Sequence, residues 1–515
     1  MIQRLLLFSF LFSTLSLLAQ TQEPHPCGSL SHRSDWLKKY QANPNDFPKS
    51  DNVIYVPLKI HITGVNGIGF YPLSKLYDSM CALNEQFEGT DMYFYIDGEI
   101  NYIDDARYHR HDSVQEGALM MFEYNVPNAL NCYIVGDPAG NCGYNLPYAG
   151  VALAPSCIDA DNESTWAHEI GHAFSLPHPF LGWEGGQTYD GSTPPNFSQP
   201  APEFVTYDYT YFQDIYIDID TLIIDTAMVE KMDGSNCAEA ADGFCDTKPD
   251  YIAQRWDCNG NGESPQSQID PNGVSFRSDA SLYMSYAFDA CAGRFSDEQV
   301  AAMRANLMDE HPELVNLDYV VQEVDATAPI EPLADAFVAA NNAFFQWEAV
   351  EGATTYLLQV SRLPAFSGGN SSITQTILVE GNTYVLDNLA DDKTYYWHVR
   401  PLNNGYFCTE FTETIKFETS EATAVATISE VNDFTIIPNI TTANSTVQVA
   451  LNSSKSFTAQ LRLLNVNGQE VQLQQLSVSQ GTQHISLKTN NLSKGMYFVV
   501  LQKGTEQVVE KLIVQ

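Results

Sequence analysis

Residues 166–178 read WAHEIGHAFSLPH, and this stretch decides the fold of the first half of the chain. It contains His168, Glu169 and His172 in the spacing H-E-x-x-H. Residues four apart lie on one face of an α-helix, so a helix here brings two imidazoles to one ion. A catalytic zinc ion takes three protein ligands and keeps a fourth position open. The motif therefore predicts a zinc site with Glu169 as its general base.

The third ligand is predicted to be His178. A continuous helix would carry this residue about 9 Å past His172 along the axis, out of reach of the ion. Pro177 and Pro179 disfavour helical conformation in the residues that precede them, so the helix is expected to end near Ser175 and the chain to turn. A zinc site whose third ligand is a distant glutamate is the alternative.

Around this motif, residues 51–315 alternate strand and helix signals, which predicts an α/β (α+β) domain. Strands are predicted at 52–64, 92–96 and 131–135, and helices at 73–87, 164–174 and 297–308. The segment 148–154 is either a buried sheet strand or an edge that pairs with an extended peptide. The Gly-, Pro- and Asp-rich stretch 180–273 is expected to be an irregular insertion held by disulfides or ions.

The full spacing H-E-x-x-H-x-x-x-x-x-H resembles that of the metzincin zinc peptidases. The later stretch YMSY at 283–286 resembles their Met-turn, with Met284 beneath the metal. The resemblance implies that Tyr286 stabilises the oxyanion, whereas taken alone Met284 and Tyr286 are ordinary core residues. Metzincins usually carry Gly where this chain has Ser175, and Ser at positive φ is expected to cost about 1 to 2 kcal/mol.

Within the metzincins, the chain is most similar to the pappalysin family. The stretch DGFCDTKPDY at 242–251 resembles that family's D-x-x-x-D-T-P region with Lys248 inserted, and residues 295–303 resemble the helix after its Met-turn. The resemblance covers roughly residues 50–312. It implies a zinc endopeptidase in which Glu169 takes a proton from the attacking water and passes it to the leaving amine.

The resemblance also implies further features of the site. It implies a disulfide between Cys258 and Cys291, and bound calcium, because members of the family bind this ion. The candidate calcium ligands are Asp214, Asp218, Asp220, Asp225, Asp242 and Asp246, although no EF-hand loop is present. Cys27 has two interpretations, a thiolate that caps the zinc or a partner in an ordinary disulfide.

Composition indicates an exported protein with several domains. The chain has 515 residues and a net charge of −39, which argues against binding to nucleic acid or anionic membranes. Residues 1–19 have a basic start and a short apolar run, which predicts a signal peptide rather than a transmembrane anchor. The ten cysteines fit an oxidising compartment, and nine of them precede residue 300.

The second half of the chain carries only strand signals, which predicts two all-β sandwich modules. The segment 333–420 resembles a fibronectin type III domain through Trp347, Tyr356, Tyr396 and Trp397, and its single Cys408 is either free or paired elsewhere. The segment 432–515 resembles the C-terminal sorting domain of type IX secretion cargo, with an accessory glycan-binding module as the alternative. Residues 20–50 are propeptide-like and 316–332 are a linker.

These features predict a secreted or cell-surface zinc endopeptidase that crosses the outer membrane after its signal peptide acts. Its expected partners are protein or peptide substrates and the type IX secretion machinery, and its expected metals are zinc and calcium. The alternative is a secreted adhesin or glycan-binding protein whose peptidase-like domain is catalytically silent.

Overall fold

The structure is a computed structural model that describes residues 25–29, 32–159, 163–184, 196–208, 224–367, 373–420, 428–466, 469–490, 492–504 and 506–515. The predicted signal peptide, residues 1–19, lies outside the described residues. The chain divides into two compact units. Unit 1 comprises Met1–Pro329, Trp347–Asn382 and Trp397–Thr414, and unit 2 comprises Ile330–Gln346, Thr383–Tyr396 and Ile415–Gln515.

The helices described in unit 1 surround one sheet. They are α1 Asp35–Ala42, α2 Leu73–Gln86, α3 Ala106–His109, α4 Val114–Tyr124, α5 Thr165–Ala173 and α6 Asp297–Glu310. Ser34 caps α1 through its side chain, and Ser296 with Gln299 forms a capping box at the start of α6. The predicted helices at 73–87, 164–174 and 297–308 therefore form within one or two residues of the expected bounds.

The central sheet has the strand order β2-β1-β5-β8-β7, with β3 also paired to β1. Its strands are β1 Ile54–Gly64, β2 Met92–Ile96, β3 Asn101–Asp104, β5 Leu130–Ile134, β7 Gly143–Leu146 and β8 Gly150–Leu153. All pairs are parallel except β7 with β8, which places β7 antiparallel at one edge. The helices pack on this sheet, and β1 and β5 are almost wholly buried as parallel strands usually are.

The segment 148–154 does not offer an edge for a peptide. Its strand β8 lies between β5 and β7 and is buried along its length, so both of its sides are already paired. The buried-strand interpretation is correct, and β7 takes the place of the edge strand. Sequence alone could not separate the two because an apolar strand carries the same pattern in both positions.

The remaining short strands of unit 1 lie in irregular chain. They are β4 Arg110–His111, β6 Asp137–Pro138, β9 Phe204–Asp208, β10 Ile224–Met228, β11 Gln268–Ile269 and β12 Ser275–Phe276. Within the described part of 180–273, β9 and β10 pair antiparallel, and turns, bends and irregular chain surround the short strand β11. A disulfide between Cys237 and Cys245 closes one of these turns, as expected for an irregular insertion.

The described residues of 329–420 have strands as their only regular structure. The strands are β13 Pro329–Glu331, β14 Phe337–Ala339, β15 Ala343–Trp347, β16 Thr355–Ser361, β17 Thr374–Val379, β18 Thr383–Leu386, β19 Thr394–Leu402 and β20 Ile415–Ser420. They pair with one another in two sheets, β13-β15-β18 and β14-β20-β19-β16-β17, as expected for the all-β module predicted at 333–420. The boundary between the two units passes through the sequence of this module.

Covalent and polar contacts explain why residues 397–414 belong to unit 1. Cys408 forms a disulfide with Cys81 on α2, which gives the partner that the sequence left open. Arg400 is buried and its guanidinium lies 2.8 Å from the Asp78 carboxylate, also on α2. The backbone N–H of Ile96 donates to the Asn404 carbonyl at 2.8 Å.

The C-terminal part of unit 2 is a β-sandwich. Its strands are β21 Val431–Ile437, β22 Ile440–Thr441, β23 Thr446–Ser453, β24 Phe457–Asn465, β25 Glu470–Val478, β26 Gly481–Lys488, β27 Gly495–Lys503 and β28 Glu506–Val514. They form the sheets β21-β23-β26 and β22-β28-β27-β24-β25, whose inner faces bury one apolar core. Among the residues described, no helix is long and apolar enough to span a membrane.

We expect the disulfide between Cys81 and Cys408 to stabilise unit 1 more than the local one between Cys237 and Cys245. The two bridges join residues 327 and 8 positions apart, and closing the longer loop removes more entropy from the unfolded chain. The chain-entropy difference is about 3 kcal/mol. Urea unfolding of the two double Cys→Ser variants should show the larger loss for Cys81/Cys408, and equal losses would contradict the expectation.

Candidate metal centre

Helix α5 positions the first two predicted ligands. Trp166, Ala167 and Ile170 bury its apolar side in the core of unit 1, which turns His168 and His172 toward a common point. The chain before α5 is fixed because the backbone N–H and the hydroxyl of Ser164 both donate to the Asp289 carboxylate.

The chain turns sharply after α5, as the two prolines predict. The N–H of Ser175 donates to the His172 carbonyl and the N–H of Leu176 donates to the Gly171 carbonyl, the hydrogen-bond pattern of a Schellman motif. Ser175 has φ 74°, the left-handed conformation in which the family usually carries glycine. The helix ends at Ala173, and His178 follows on irregular backbone.

The three predicted histidines converge. The Nε2 atom of His168 lies 3.2 Å from those of His172 and His178, which are 3.0 Å from each other. Their Nδ1 atoms face acceptors, namely the carbonyls of Tyr283 and Leu176 at 2.7 Å and the Glu184 carboxylate at 3.1 Å. Each Nδ1 therefore carries the proton, and three Nε2 lone pairs point at one another.

This donor set fits a zinc ion. A tetrahedral ion with bonds of about 2.0 to 2.1 Å holds its nitrogen ligands about 3.3 to 3.4 Å apart, close to the observed spacing. Burial lowers the pKa of His168 to about 4, and it lowers the pKa of His172 and His178 well below the usual value, so the imidazoles are neutral as metal ligands must be. Without a cation, the converging lone pairs would repel one another.

Met284 and Tyr286 both lie beside the histidine cluster. Met284 is fully buried against α5, and a Cβ atom added to Gly171 would lie 2.4 Å from its Sδ atom. The Tyr286 ring contacts the His178 ring edge-on with centroids 4.9 Å apart. Burial raises the pKa of Tyr286 well above its usual value, so the phenol keeps its proton and can donate a hydrogen bond.

Glu169 is fully buried beside the histidines. Its Oε2 atom accepts a hydrogen bond of 2.8 Å from the Ser29 hydroxyl, and Oε1 has no hydrogen-bond partner among the described residues. Burial raises the pKa of Glu169 to about 8. The Ser29 hydroxyl thus faces the carboxylate that is predicted to act as general base.

Residues His25–Ser29 run alongside residues 140–145, which include the outer edge of β7. The backbone N–H of His25 donates to the Gly140 carbonyl, that of Cys142 to the His25 carbonyl and that of Gly28 to the Gly143 carbonyl. The Ser29 hydroxyl continues the contact by accepting from the N–H of Asn145 at 2.8 Å. The edge that a peptide substrate would use is therefore covered by the chain itself.

Cys27 is a fully buried free thiol at the centre of this segment. Its Sγ atom and the three Nε2 atoms all lie within 4.8 Å of one another, which makes it a candidate fourth ligand. Burial raises the pKa of Cys27 well above its usual value, so the group is a neutral thiol unless a cation lies beside it. The structure thus pairs Cys27 with no other cysteine and places it at the histidine cluster.

The calcium candidates divide into three groups. Asp214, Asp218 and Asp220 lie outside the described residues, and Asp225 is described only by its position in β10. Asp246 caps α6, since its carboxylate accepts from Ser296 and from the N–H of Glu298. Asp242 is fully buried and its Oδ2 atom has no hydrogen-bond partner among the described residues.

Sequence reasoning missed an acid beside Asp242. Glu230 is buried, and its Oε2 atom also has no hydrogen-bond partner among the described residues. Burial, with the negative charges of Asp242 and Asp250, raises the pKa of Glu230 to about 10. Burial likewise raises the pKa of Asp242 to about 7 and of Asp250 to about 6. The carboxylate oxygens of these three described acids do not converge within 4.8 Å as the ligands of one ion would, so they give calcium no defined site.

Two further residues of the site carry no sequence motif. Glu184 contacts His178, and Ser29 contacts Glu169, but neither belongs to the zinc signature. The remaining implied feature is present, since Cys258 and Cys291 form a disulfide. A fourth disulfide joins Cys142 and Cys157, next to β7.

Residues 435–515 match the family model of the secretion system C-terminal sorting domain. The C-terminal sandwich is therefore a sorting domain, which agrees with the predicted segment 432–515. It indicates that the chain is exported to the cell surface or secreted and that the secretion machinery is a partner. The match leaves the histidine cluster outside it, and the search of curated proteins gave no match.

Three solved structures show limited similarity. The FN1-FN3 domains of chicken CNTN1 share 12% identity over 38% of this chain and 67% of that chain, with a TM-score of 0.17. The fn3 domain of human collagen alpha-1(XX) chain shares 21% identity over 20% of this chain and 93% of that chain, with a TM-score of 0.15. The BSP domain of a biofilm associated protein shares 14% identity over 36% of this chain and 29% of that chain, with a TM-score of 0.19.

We expect Ser175→Gly to stabilise the turn after α5. Relief of the positive φ should raise the free energy of unfolding by about 1 kcal/mol relative to Ser175→Ala, which also loses the hydroxyl but keeps Cβ. The alanine control removes the effect of the 3.0 Å hydrogen bond between the hydroxyls of Ser34 and Ser175. Urea unfolding measures both variants, and an alanine variant at least as stable as the glycine variant would contradict the assignment of strain.

We expect the buried acids Glu230, Asp242 and Asp250 to make stability depend on pH. Their raised pKa values mean that the folded chain holds protons that the unfolded chain releases above about pH 4, so the free energy of unfolding should fall from there toward pH 10.

The control for this prediction is Glu230→Gln. This variant removes the most strongly shifted carboxyl, so it should weaken the pH dependence. Differential scanning fluorimetry from pH 4 to pH 10 measures the thermal midpoint of both proteins. An undiminished pH dependence in Glu230→Gln would contradict the assignment to this carboxyl.

Proposed function

We propose that this chain is an exported zinc-dependent endopeptidase that residues His25–Ser29 keep latent. The observation that carries the proposal is the convergence of the Nε2 atoms of His168, His172 and His178, with mutual distances of 3.0 to 3.2 Å, beside the buried carboxylate of Glu169. The resemblance to pappalysins gives the same ligand set. Protein or peptide substrates follow from the edge position of β7, where an extended peptide could pair in place of residues His25–Ser29.

Each residue has a separate role in the proposed reaction. A zinc ion held by the three histidines would polarise the scissile carbonyl and lower the pKa of a water molecule. Glu169 accepts the proton of the attacking water and delivers it to the leaving amine. Tyr286 donates a hydrogen bond to the developing oxyanion, and β7 aligns the extended substrate by backbone pairing.

Latency follows from the position of His25–Ser29. Cys27 lies beside the three histidines, and its thiolate would be a fourth ligand of the metal. The Ser29 hydroxyl donates a hydrogen bond to the carboxylate of Glu169. The backbone of the same segment pairs with the β7 edge. Residues His25–Ser29 thus block the metal position, Glu169 and the β7 edge at the same time. Removal of these residues would expose all three.

The test uses a variant with Cys27→Ala and Ser29→Ala, called here the unblocked chain. We expect the unblocked chain to cleave casein faster than wild type, because without these two side chains only backbone hydrogen bonds hold the segment at the β7 edge, and a peptide displaces it more easily. Adding Glu169→Gln to the unblocked chain should reduce cleavage by about 10² to 10⁴-fold, the usual contribution of a general base.

The controls separate latency from catalysis. Cys132→Ala removes the other free buried thiol in the described chain and should leave casein cleavage at the wild-type level. Zinc content by atomic absorption should be one ion per chain with or without Glu169→Gln. Equal cleavage by the unblocked chain with and without Glu169→Gln would refute the mechanism and favour the adhesin or glycan-binding alternative.

A further inference from the structure

The three candidate ligands differ in what holds their second nitrogen. His168 and His172 lie on α5, and their Nδ1 atoms donate to main-chain carbonyls. His178 lies on irregular backbone, and its Nδ1 donates to the carboxylate of Glu184 at 3.1 Å. The ligand without helical support is therefore the one with a charged partner.

Glu184 is itself held in place. Its side chain is 5% exposed, and its second oxygen, Oε2, accepts from the backbone N–H of Gly182 at 2.7 Å. The turn between His178 and Glu184 is closed by the Leu181 N–H to the His178 carbonyl and by the Trp183 N–H to the Phe180 carbonyl. A buried carboxylate is costly unless paired, and here each oxygen meets a donor.

The His178 ring has little freedom to rotate. Phe180 stacks on one face with centroids 4.6 Å apart, and Tyr286 contacts it edge-on. These apolar contacts leave the plane of the ring defined but do not choose its tautomer. Only the acceptor at Nδ1 decides that Nε2 presents a lone pair.

We propose that Glu184 is the positioning residue of the third metal ligand, fixing the Nδ1–H tautomer of His178 so that Nε2 faces the other two Nε2 atoms. The inference rests on the proposed zinc site and extends it to a residue outside the zinc signature. Glu184 touches neither metal nor substrate in this role. It acts only through His178.

The chemistry of the pair makes a carboxylate necessary. Two donors, Nδ1–H of His178 and N–H of Gly182, each face one oxygen of Glu184. An amide offers one acceptor and one donor, so Glu184→Gln must place its NH2 group against one of these two N–H groups. If the NH2 faces His178, the ring is driven toward the tautomer that carries its proton on Nε2 and cannot bind a metal.

The test measures metal binding by the full chain rather than its activity. Metal-depleted wild type, Glu184→Gln, Glu184→Asp and the control Glu203→Gln are titrated with Zn2+ against a chromophoric chelator. Glu203 is a largely exposed carboxylate of the same insertion and is paired with Lys231. Glu203→Gln therefore removes one negative charge, as Glu184→Gln does, without changing a contact of His178. The visible spectrum of each Co2+-loaded protein then reports the ligand field, which a general loss of stability would leave unchanged.

We expect Glu184→Gln to bind Zn2+ about 10 to 100-fold more weakly than wild type and to alter the Co2+ spectrum. Glu184→Asp keeps a carboxylate and should recover part of the affinity, and Glu203→Gln should equal wild type. If Glu184→Gln fails to fold, Glu184→Ala decides, since an unchanged affinity and spectrum in a variant with no side-chain acceptor for the His178 Nδ1–H would overturn the inference.

The outcomes separate this inference from the proposed function. Wild type that binds no Zn2+ would refute the zinc site itself. Wild type that binds Zn2+, together with Glu184→Gln of equal affinity and spectrum, would refute the role of Glu184 and leave the proposed peptidase standing.

Discussion

The structure of the candidate site depends on three imidazole lone pairs that point at one another. Nε2 atoms 3.0 to 3.2 Å apart, with every Nδ1 proton committed to an acceptor, are repulsive unless a cation lies between them. The fold holds the three imidazole rings in place against this repulsion. Helix α5 positions two of them, and the turn at Ser175 and the carboxylate of Glu184 position the third. The close packing of Met284 against Gly171 also helps to position α5, which carries His168 and His172.

The local part of this arrangement could be predicted from the sequence. The spacing of His168 and His172 predicts a shared helix face, and the prolines that flank His178 predict the turn that returns the third ligand. Even the strained conformation at Ser175 follows from comparison with the glycine of related turns, and its φ of 74° agrees. These features depend on residues that are neighbours in the chain, where spacing and backbone preference carry the information.

The parts that could not be predicted are contacts between distant residues. Nothing in the composition of 333–420 indicates that Cys408 pairs with Cys81, which lies 327 residues earlier in the chain. The partners of Glu169 and His178 likewise lack a motif, because any serine or glutamate has the same local pattern. The sequence also left open whether 148–154 is a buried strand or an edge, and only the sheet order shows that β8 is buried and β7 lies at the edge.

The edge position of β7 links export and latency within the proposed function. An open edge beside the metal is needed for a peptide to pair, but an open edge also invites pairing with any other extended chain. Covering β7 with His25–Ser29 satisfies its backbone groups from within the same chain and blocks the metal position and Glu169 in one step. The sorting domain indicates that the chain is exported. In the proposed function, residues His25–Ser29 therefore keep the β7 edge paired during export, and the edge becomes accessible only after these residues are removed.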